Sequence, residues 1–311
     1  MAITAAMVKE LREMTGAGMM DCKKALNATE GDMDKAVEFL RENGLAKAAK
    51  KADRIAAEGM VATNVSADGK VASIVEVNSE TDFVAKNEKF TSFVSALAKQ
   101  IAEGDYADLE SLLAAPWAED ASKTVNEHLA SLIATIGENM TIRRFEKITT
   151  EGVISSYIHA GGKIGVLVEA KTDASKETVE ECLKNVAMQV AALNAKYVSR
   201  NEISADYIAH EKEILKAQIM NDPKESQKPE KVIAGMIEGR VNKELKEICL
   251  VDQIYVKAED GKQNVGAYVQ SVAKAAGINL EVTKFVRFET GEGIEKKEEN
   301  FAEEVAKQMG M

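Results

Sequence analysis

Two glycine-rich stretches of this 311-residue chain are the first candidates for chemistry, because such loops often bind phosphate groups. Gly161-Gly162-Lys163 lacks both the earlier glycine and the Ser or Thr after the lysine that a Walker loop requires. We therefore interpret this stretch as a hairpin turn. Gly291-Glu292-Gly293 is not followed by spaced glycines that open a helix, so we interpret it as a loop and not as a dinucleotide-binding turn.

The histidines and cysteines do not form a reactive or metal-binding cluster in the sequence. The histidines are far apart and lack Cys or carboxylate neighbours at ligand spacing, so no metal site is expected. Three cysteines without a close pair indicate neither a disulfide framework nor a zinc ribbon, and they favour a reducing, cytoplasmic location. Cys22 follows Asp21 near a helix start but has no oriented histidine, so we interpret it as a buried small apolar residue. These residues are His128, His159 and His210, with Cys22, Cys182 and Cys249.

Thr81-Asp82-Phe83-Val84 is the most unusual short segment, because it lies between an apolar strand pattern and a helix pattern. Thr81 or Asp82 can cap that helix, which is an ordinary structural role. Phe83 has two interpretations. It staples the helix end to the core, or it projects as an aromatic wedge of the kind that fills a partner's pocket.

Composition narrows the class of protein. The chain has 40 Lys and Arg against 51 Asp and Glu, a net charge of −11, and 45% hydrophobic residues. It is therefore expected to be globular and not to track nucleic-acid phosphates, since such surfaces need clustered basic residues. Charged residues within the first twenty positions disfavour a signal peptide or a membrane span. Without an assembled acid, base, nucleophile or cofactor loop, no enzyme and no cofactor are expected.

The first fifty residues predict three short helices. Thr4 caps the first, and Thr15 to Gly18 stop it. The second begins at Met19 or Asp21 and runs through Leu26. Gly31-Asp32 opens the third, and Asn43-Gly44 is its predicted end. The basic, Ala-rich stretch that follows is interpreted as a connecting helix or linker.

The middle of the chain contains an internal repeat. A predicted hairpin turning at Ala67 to Lys70 is followed by a helix with one apolar face, and the same order recurs later. Gly152 follows Gly59, Lys163 follows Lys70, and Val190 follows Leu97 by the same 93 residues. A constant spacing across strands, turn and helix predicts two copies of one α+β unit. The helix of the first copy should bury Phe90, Val94, Leu97 and Ile101.

The second copy is interrupted by a predicted helical hairpin from Ile208 to Ile248, broken at Pro223 and Pro229. Its apolar stripe either packs within the hairpin or leaves one edge for self-association. A helix over 265–276 and a strand over 278–288 follow, and 300–309 predict a last amphipathic helix. The stretch 103–123 is loosely patterned and is assigned no function.

The chain resembles a known family, bacterial elongation factor Ts, over nearly its whole length. Two long signature stretches occur in the expected order, and two shorter ones match as well. The long ones are LREMTGAGMMDCKKAL at 11–26 and EVNSETDFVAK at 76–86, and the shorter ones are IRR at 142–144 and VRFE at 286–289 with GEGIE at 291–295.

The resemblance implies a guanine-nucleotide exchange factor for elongation factor Tu, a GTPase of translation elongation, with no chemistry or metal of its own. It implies an α+β fold with an N-terminal bundle similar to ubiquitin-associated (UBA) domains, a duplicated core, an inserted dimerisation hairpin and a C-terminal helical module. The implied segments are 1–54 for the bundle and linker, 55–148 for the first core unit, 149–196 with 250–288 for the second, 197–249 for the hairpin and 289–311 for the C-terminal module.

The resemblance also assigns residues. It implies that the motif Thr81, Asp82, Phe83 and Val84 dislodges the magnesium ion of the GTPase, and that Phe83 inserts between two side chains of its G domain. Further contacts are implied in the bundle and in the second core unit, where some family members have His in place of Gln189. Those residues are Arg12, Met19 and Met20 in the bundle, and Met188, Gln189, Val190 and Ala191 in the second unit.

A homodimer through the hairpin is also implied, whereas nucleic acid and membranes are not expected partners. A different class of function remains open at this point: a non-catalytic adaptor or chaperone-like protein whose UBA-like bundle docks other chains.

Overall fold

The computed structural model describes residues 3–295. Its first part is the predicted three-helix bundle. The Thr4 hydroxyl accepts a hydrogen bond from the Met7 N–H at the start of the first helix, and Gly16 ends that helix with φ of 67°. The apolar faces meet in one small core that includes Leu11, Cys22 and Leu26. The helices are α1 (Ala5–Thr15), α2 (Met19–Ala28) and α3 (Met33–Ala49).

The first α+β unit contains, in chain order, β1 (Glu58–Val65), β2 (Val71–Ser79), α4 (Asp82–Ala85), α5 (Glu88–Glu103), α6 (Leu109–Ala114), β3 (Pro116–Trp117), β4 (Asp120–Thr124), α7 (Val125–Ile136) and β5 (Met140–Thr149). Strands β1, β2 and β5 form an antiparallel sheet in that order. As predicted, α5 buries one apolar face, which includes Phe90 and Leu97, against this sheet.

The second unit contains β6 (Val153–His159), β7 (Ile164–Thr172), α8 (Lys176–Leu193), α9 (Ala205–Asn221), α10 (Glu230–Ile248), α11 (Val265–Ala276) and β8 (Leu280–Glu289). Its antiparallel sheet has the order β6, β7, β8. Helices α9 and α10 are the predicted hairpin, and they leave the unit between α8 and α11.

The two sheets repeat each other down to their irregularities. The register between the second and third strands shifts at Glu76/Val77 in one sheet and at Glu169/Ala170 in the other, again 93 residues apart. A Cβ on Gly59 would lie 2.2 Å from the Val77 carbonyl oxygen, and a Cβ on Gly152 would lie 2.0 Å from that of Ala170. Each bulged strand therefore approaches its neighbour at a position where only glycine fits.

The two units share a tightly packed junction. The Val61 N–H donates to the Gly162 carbonyl at 2.7 Å, so the turn of the second unit bonds to β1 of the first. In the opposite direction, Lys176 Nζ donates to the Ser66 carbonyl at 3.2 Å. Apolar residues of both sheets form one further core between them. These are Val61, Ala72, Ile74, Ile148, Ile154, Leu167, Val286 and Phe288.

One local prediction, the end of α3, is corrected. Asn43-Gly44 does not end α3, which continues to Ala49, and Gly44 is buried inside the helix. A Cβ on Gly44 would make only an ordinary contact, 3.8 Å from the Ala130 carbonyl oxygen of α7, so the apolar packing of α3 on α7 continues through this position. The loosely patterned stretch 103–123 is folded, with α6 and the β3–β4 pair, and Trp117 is buried against His128 with ring centroids 4.8 Å apart. Elements of two to six residues are too short to show a period.

The hairpin packs on itself through a core that includes Ile203, Val241 and Leu245. Ile214, Met220 and Val232 remain exposed on it. The predicted helix over 300–309, with most of the predicted C-terminal module, lies outside the described residues. Within 3–295, no helix is both long enough and apolar enough to cross a membrane.

Candidate functional site

Phe83 projects from the surface of the first unit. It lies in α4, a single helical turn directly after β2, and its side chain is 80% exposed. The neighbouring Val84 is buried in the core of the unit. The interpretation of Phe83 as a staple is therefore wrong, because Val84 anchors the turn and leaves the aromatic ring in solvent.

Thr81 and Asp82 do not use their side chains to cap α4, contrary to the capping interpretation. Thr81 occupies the N-cap position, but its hydroxyl lies 2.9 Å from Oε1 of Glu138 and its N–H donates to Oε2 at 3.0 Å. Asp82 pairs with Lys86 Nζ at 2.6 Å, and this hydrogen bond lowers the pKa of the Asp82 carboxyl. The two polar residues of the motif are thus held by other side chains.

The turn before Phe83 is braced from several sides. The Ser79 hydroxyl donates to the Thr81 carbonyl at 3.0 Å. The Asn139 N–H donates to Oε1 of Glu80, and the Asn139 side-chain amide donates to the Arg54 carbonyl at 2.8 Å. The segment 137–139 therefore connects the motif to the linker that follows the bundle. Sequence reasoning missed this segment, because a glycine and two polar residues at a helix end look like an ordinary turn.

The bundle residues assigned by resemblance lie on its surface. Met19 is 58% exposed and Met20 is 75% exposed at the start of α2, and Arg12 is exposed on α1. Flexible, polarizable methionine side chains are common at binding surfaces. The bundle is attached to the first unit, because α3 packs on α7 and Arg41 pairs with Glu127 at 2.7 Å.

The assigned residues of the second unit are mostly internal. Gln189, Val190 and Ala191 are buried, and Met188 is half-buried. The Gln189 side chain donates to the Ile254 carbonyl at 3.0 Å and accepts from the Val256 N–H at 2.8 Å. This side chain therefore holds the loop 253–256 in place. Two apolar side chains of this loop, Ile254 and Val256, are exposed, as is Leu193 at the end of α8.

The described residues offer little to a reactive or metal-based mechanism. Within 3–295 there is no group of three or more His, Cys, Asp or Glu side chains that could hold a metal ion. All three cysteines are buried, Cys22 among them as interpreted, and burial raises the pKa of Cys182 to about 11. A thiol with so high a pKa is a poor nucleophile near neutral pH. Among the residues assigned by resemblance, the exposed apolar side chains are the aromatic ring of Phe83 and the methionines Met19 and Met20.

Comparison with known proteins decides the family. A family model described as Elongation factor TS matches residues 80–292, a range that begins one residue before Thr81. An elongation factor Ts of Clostridium novyi (strain NT) is 53% identical over 308 residues, which cover 99% of each chain. The chain belongs to the elongation factor Ts family. The elongation factor Ts of Clostridioides difficile (strain 630) is 56% identical over 307 residues, and that of Clostridium perfringens (strain SM101 / Type A) is 53% identical over 309, each covering 99% of both chains.

Membership in the elongation factor Ts family places the chain in translation elongation, within protein biosynthesis. Its mixed helix and sheet architecture with N-terminal helices agrees with that family.

Proposed function

We propose that this chain is a guanine-nucleotide exchange factor that binds elongation factor Tu and promotes GDP release by inserting the segment 81–84 beside its magnesium site. The observation that carries the proposal is the exposure of Phe83 on a turn anchored by Val84. An aromatic ring already held in solvent costs little to order on binding, so most of its burial energy is available to the complex.

The proposed mechanism is thermodynamic coupling. A protein that binds the nucleotide-free GTPase more tightly than the GDP-bound form must weaken GDP binding by the same factor. Magnesium bridges phosphate oxygens and protein ligands, so displacing those ligands removes the largest local positive charge that holds the nucleotide. Moving the GTPase from about 1:99 to 99:1 nucleotide-free requires roughly 5.5 kcal/mol of differential affinity. A few buried hot-spot side chains can supply this amount.

The residues of the segment 81–84 have different proposed roles. Phe83 is the wedge, Val84 is its anchor in the core, and Thr81 fixes the entry into α4. Asp82 forms a solvent-exposed ion pair with Lys86.

Two further surfaces complete the proposed contact. In the bundle, Arg12, Met19 and Met20 are exposed and take part directly. In the second unit, residues 188–191 act from inside the fold, since Gln189 holds the loop that carries the exposed Ile254. As a factor of translation elongation, the protein is proposed to act in the cytoplasm.

The proposal is tested with Phe83→Ala. Because the side chain is 80% exposed, the variant should fold as the wild type does, yet stimulated release of a fluorescent GDP from elongation factor Tu should fall at least about tenfold. Ile158→Ala, which truncates a less exposed apolar residue on β6, is the matched control. Chelation of magnesium should narrow the difference between wild type and Phe83→Ala. Unchanged exchange by Phe83→Ala would remove the wedge from the mechanism.

A second candidate function rests on the methionines exposed on the bundle, which suit an adaptor or chaperone-like protein that docks other chains. The two candidates differ in their response to nucleotide. An exchange factor must release elongation factor Tu when excess GDP is added, whereas an adaptor complex would be indifferent to it. Analytical gel filtration of the complex with and without GDP separates them.

Self-association through the hairpin is also proposed, because Ile214, Met220 and Val232 stay exposed after α9 and α10 have packed on each other. Light scattering of the free protein should give twice the chain mass, and a hairpin-deleted version should give a monomer. If the free protein and the hairpin-deleted version contained the same number of chains per particle, this part of the proposal would be refuted.

A further inference from the structure

A single carboxylate holds both hydrogen-bond donors of Thr81. Glu138 Oε2 accepts the backbone N–H at 3.0 Å, and Oε1 accepts the hydroxyl at 2.9 Å. Backbone and side chain of the same residue are thus fixed together, two positions before Phe83. A bond to the side chain alone would leave the backbone free to rotate.

The helix that carries Phe83 needs such an external support. Helix α4 spans only Asp82–Ala85 and has no side-chain capping bond of its own. An isolated single helical turn is not stable in water, because the conformational entropy lost when the first turn forms outweighs the free energy gained from its hydrogen bond. Val84 anchors one face of the turn in the core. The rotation of the turn about this anchor is set by the residue that enters it, Thr81.

Glu138 is itself on a well-supported segment. It follows Gly137, which ends α7 in the left-handed conformation with φ of 95°, and Lys51 donates to the Gly137 carbonyl. Asn139, on its other side, donates to Glu80 and to the Arg54 carbonyl. The carboxylate therefore has a fixed position relative to the first unit and to the linker after the bundle.

We propose that Glu138 is a positioning residue that sets the direction of Phe83 by holding the backbone and hydroxyl of Thr81. This inference rests on the proposed exchange function. Glu138 is not proposed to contact nucleotide or magnesium. It determines whether the ring is already oriented when the docked factor displaces the magnesium ligands, so its loss lowers the rate of exchange within the complex more than the affinity for the partner.

A carboxylate suits Thr81 because the N–H and the hydroxyl both donate to it, and its charge strengthens both hydrogen bonds. The Thr81 hydroxyl can also accept, so a glutamine can keep the bonding pattern without the charge. Glu138→Gln therefore keeps the size of the side chain and removes the charge that strengthens the two hydrogen bonds. The variant tests the bond with little change in packing.

The experiment measures stimulated GDP release from elongation factor Tu as a function of factor concentration. For Glu138→Gln, the maximal rate should fall roughly tenfold while the half-saturating concentration changes by less than about twofold. Glu110→Gln, at an exposed position on α6, controls for the lost charge. A merely unstable variant would behave differently, because fewer folded molecules raise the half-saturating concentration and leave the maximal rate unchanged. That result would overturn the proposal.

Variants of Thr81 and a double variant complete the test. Thr81→Val, which lacks the hydroxyl, should lower the maximal rate as Glu138→Gln does, and Thr81→Ser should recover most of the loss. In a Phe83→Ala background, Glu138→Gln should have no further effect, because the ring that it positions is gone. An equal loss in both backgrounds would refute positioning.

Failure of this inference can be told apart from failure of the proposed function. Loss of exchange in Phe83→Ala with full activity in Glu138→Gln would overturn only the role of Glu138. Full activity in Phe83→Ala would overturn both.

Discussion

Nε of Arg144 lies 2.6 Å from Oε2 of Glu76, and no part of the Glu76 side chain reaches solvent. The other carboxylate oxygen accepts from Arg143 at 3.0 Å and from the Gly291 N–H at 2.8 Å. Gly291 follows β8, so one buried carboxylate joins the central strand of the first sheet to the end of the second. The guanidinium of Arg144 also lies 4.3 Å from the ring centre of Phe288, which adds a cation–π contact.

Replacement of Glu76 should destabilise the junction between the units. Glu76→Gln removes the charge that two arginines share but keeps the shape, and it should cost about 2–3 kcal/mol of unfolding free energy. Urea unfolding followed by circular dichroism measures the change. The same substitution at the exposed Glu259 should stay within about 0.5 kcal/mol of wild type. A loss at Glu259 as large as that at Glu76 would contradict the prediction.

The contribution of Glu76 should disappear in acid. Burial raises the pKa of this carboxyl, but hydrogen bonds from Gly291, Arg143 and Arg144 outweigh it and leave the pKa below the usual glutamate value. A lowered pKa stabilises the folded state above the unfolded pKa, about 4.3 for Glu, and this stability is lost as the pH falls through the folded pKa.

The stability gap between wild type and Glu76→Gln should therefore be constant from about pH 6 to 8 and shrink below about pH 4.5. Unfolding midpoints over this pH range check it. A stability difference between the two proteins that widened in acid would contradict the prediction.

Glycine is required at the β1 position that faces the bulge. Gly59→Ala would place a Cβ 2.2 Å from the Val77 carbonyl oxygen at a φ of 126°, so the backbone must move, at a cost of at least about 3 kcal/mol. Gly235→Ala is the matched control, since nothing lies within 4 Å and its helix should gain about 0.5–1 kcal/mol. Thermal unfolding of both variants should therefore show shifts of opposite sign.

Gln189 should protect the loop that carries Ile254. Gln189→Leu leaves the Ile254 carbonyl and the Val256 N–H without their partner, which should cost about 2–3 kcal/mol and expose residues 253–256 to solvent exchange. Hydrogen exchange followed by mass spectrometry resolves that segment. Gln270→Leu, at an exposed position on α11, should leave the exchange of this loop unchanged.

Sequence periodicity and capping residues predicted most helices, the two strand hairpins and β8, because these signals are local, but they did not predict β5. The Thr4 cap, the Gly16 stop and the 93-residue spacing depend only on neighbours or on self-similarity. The details of the site depend on distant contacts. Thr81 bonds to Glu138, 57 residues away, and Gln189 bonds to Ile254, 65 residues away, so local patterns contain no trace of either bond.

The exposure of Phe83 was undecidable from the sequence for a related reason. Phe83 and Val84 are adjacent apolar residues on a single turn, and only one of them can face the core. A turn this short has no periodicity from which to choose. The choice follows from how β2 delivers the chain into α4, which is a property of the folded sheet.

The duplicated core is symmetric in construction but not in use. The position that matches Phe83 in the second unit, 93 residues later, is Lys176. Its ammonium group reaches back to the Ser66 carbonyl and ties the two units together. In the second unit this position therefore holds the two units together, whereas in the first unit it is exposed to solvent. Under the proposed exchange function, the duplicated core therefore presents a single insertion point for the GTPase.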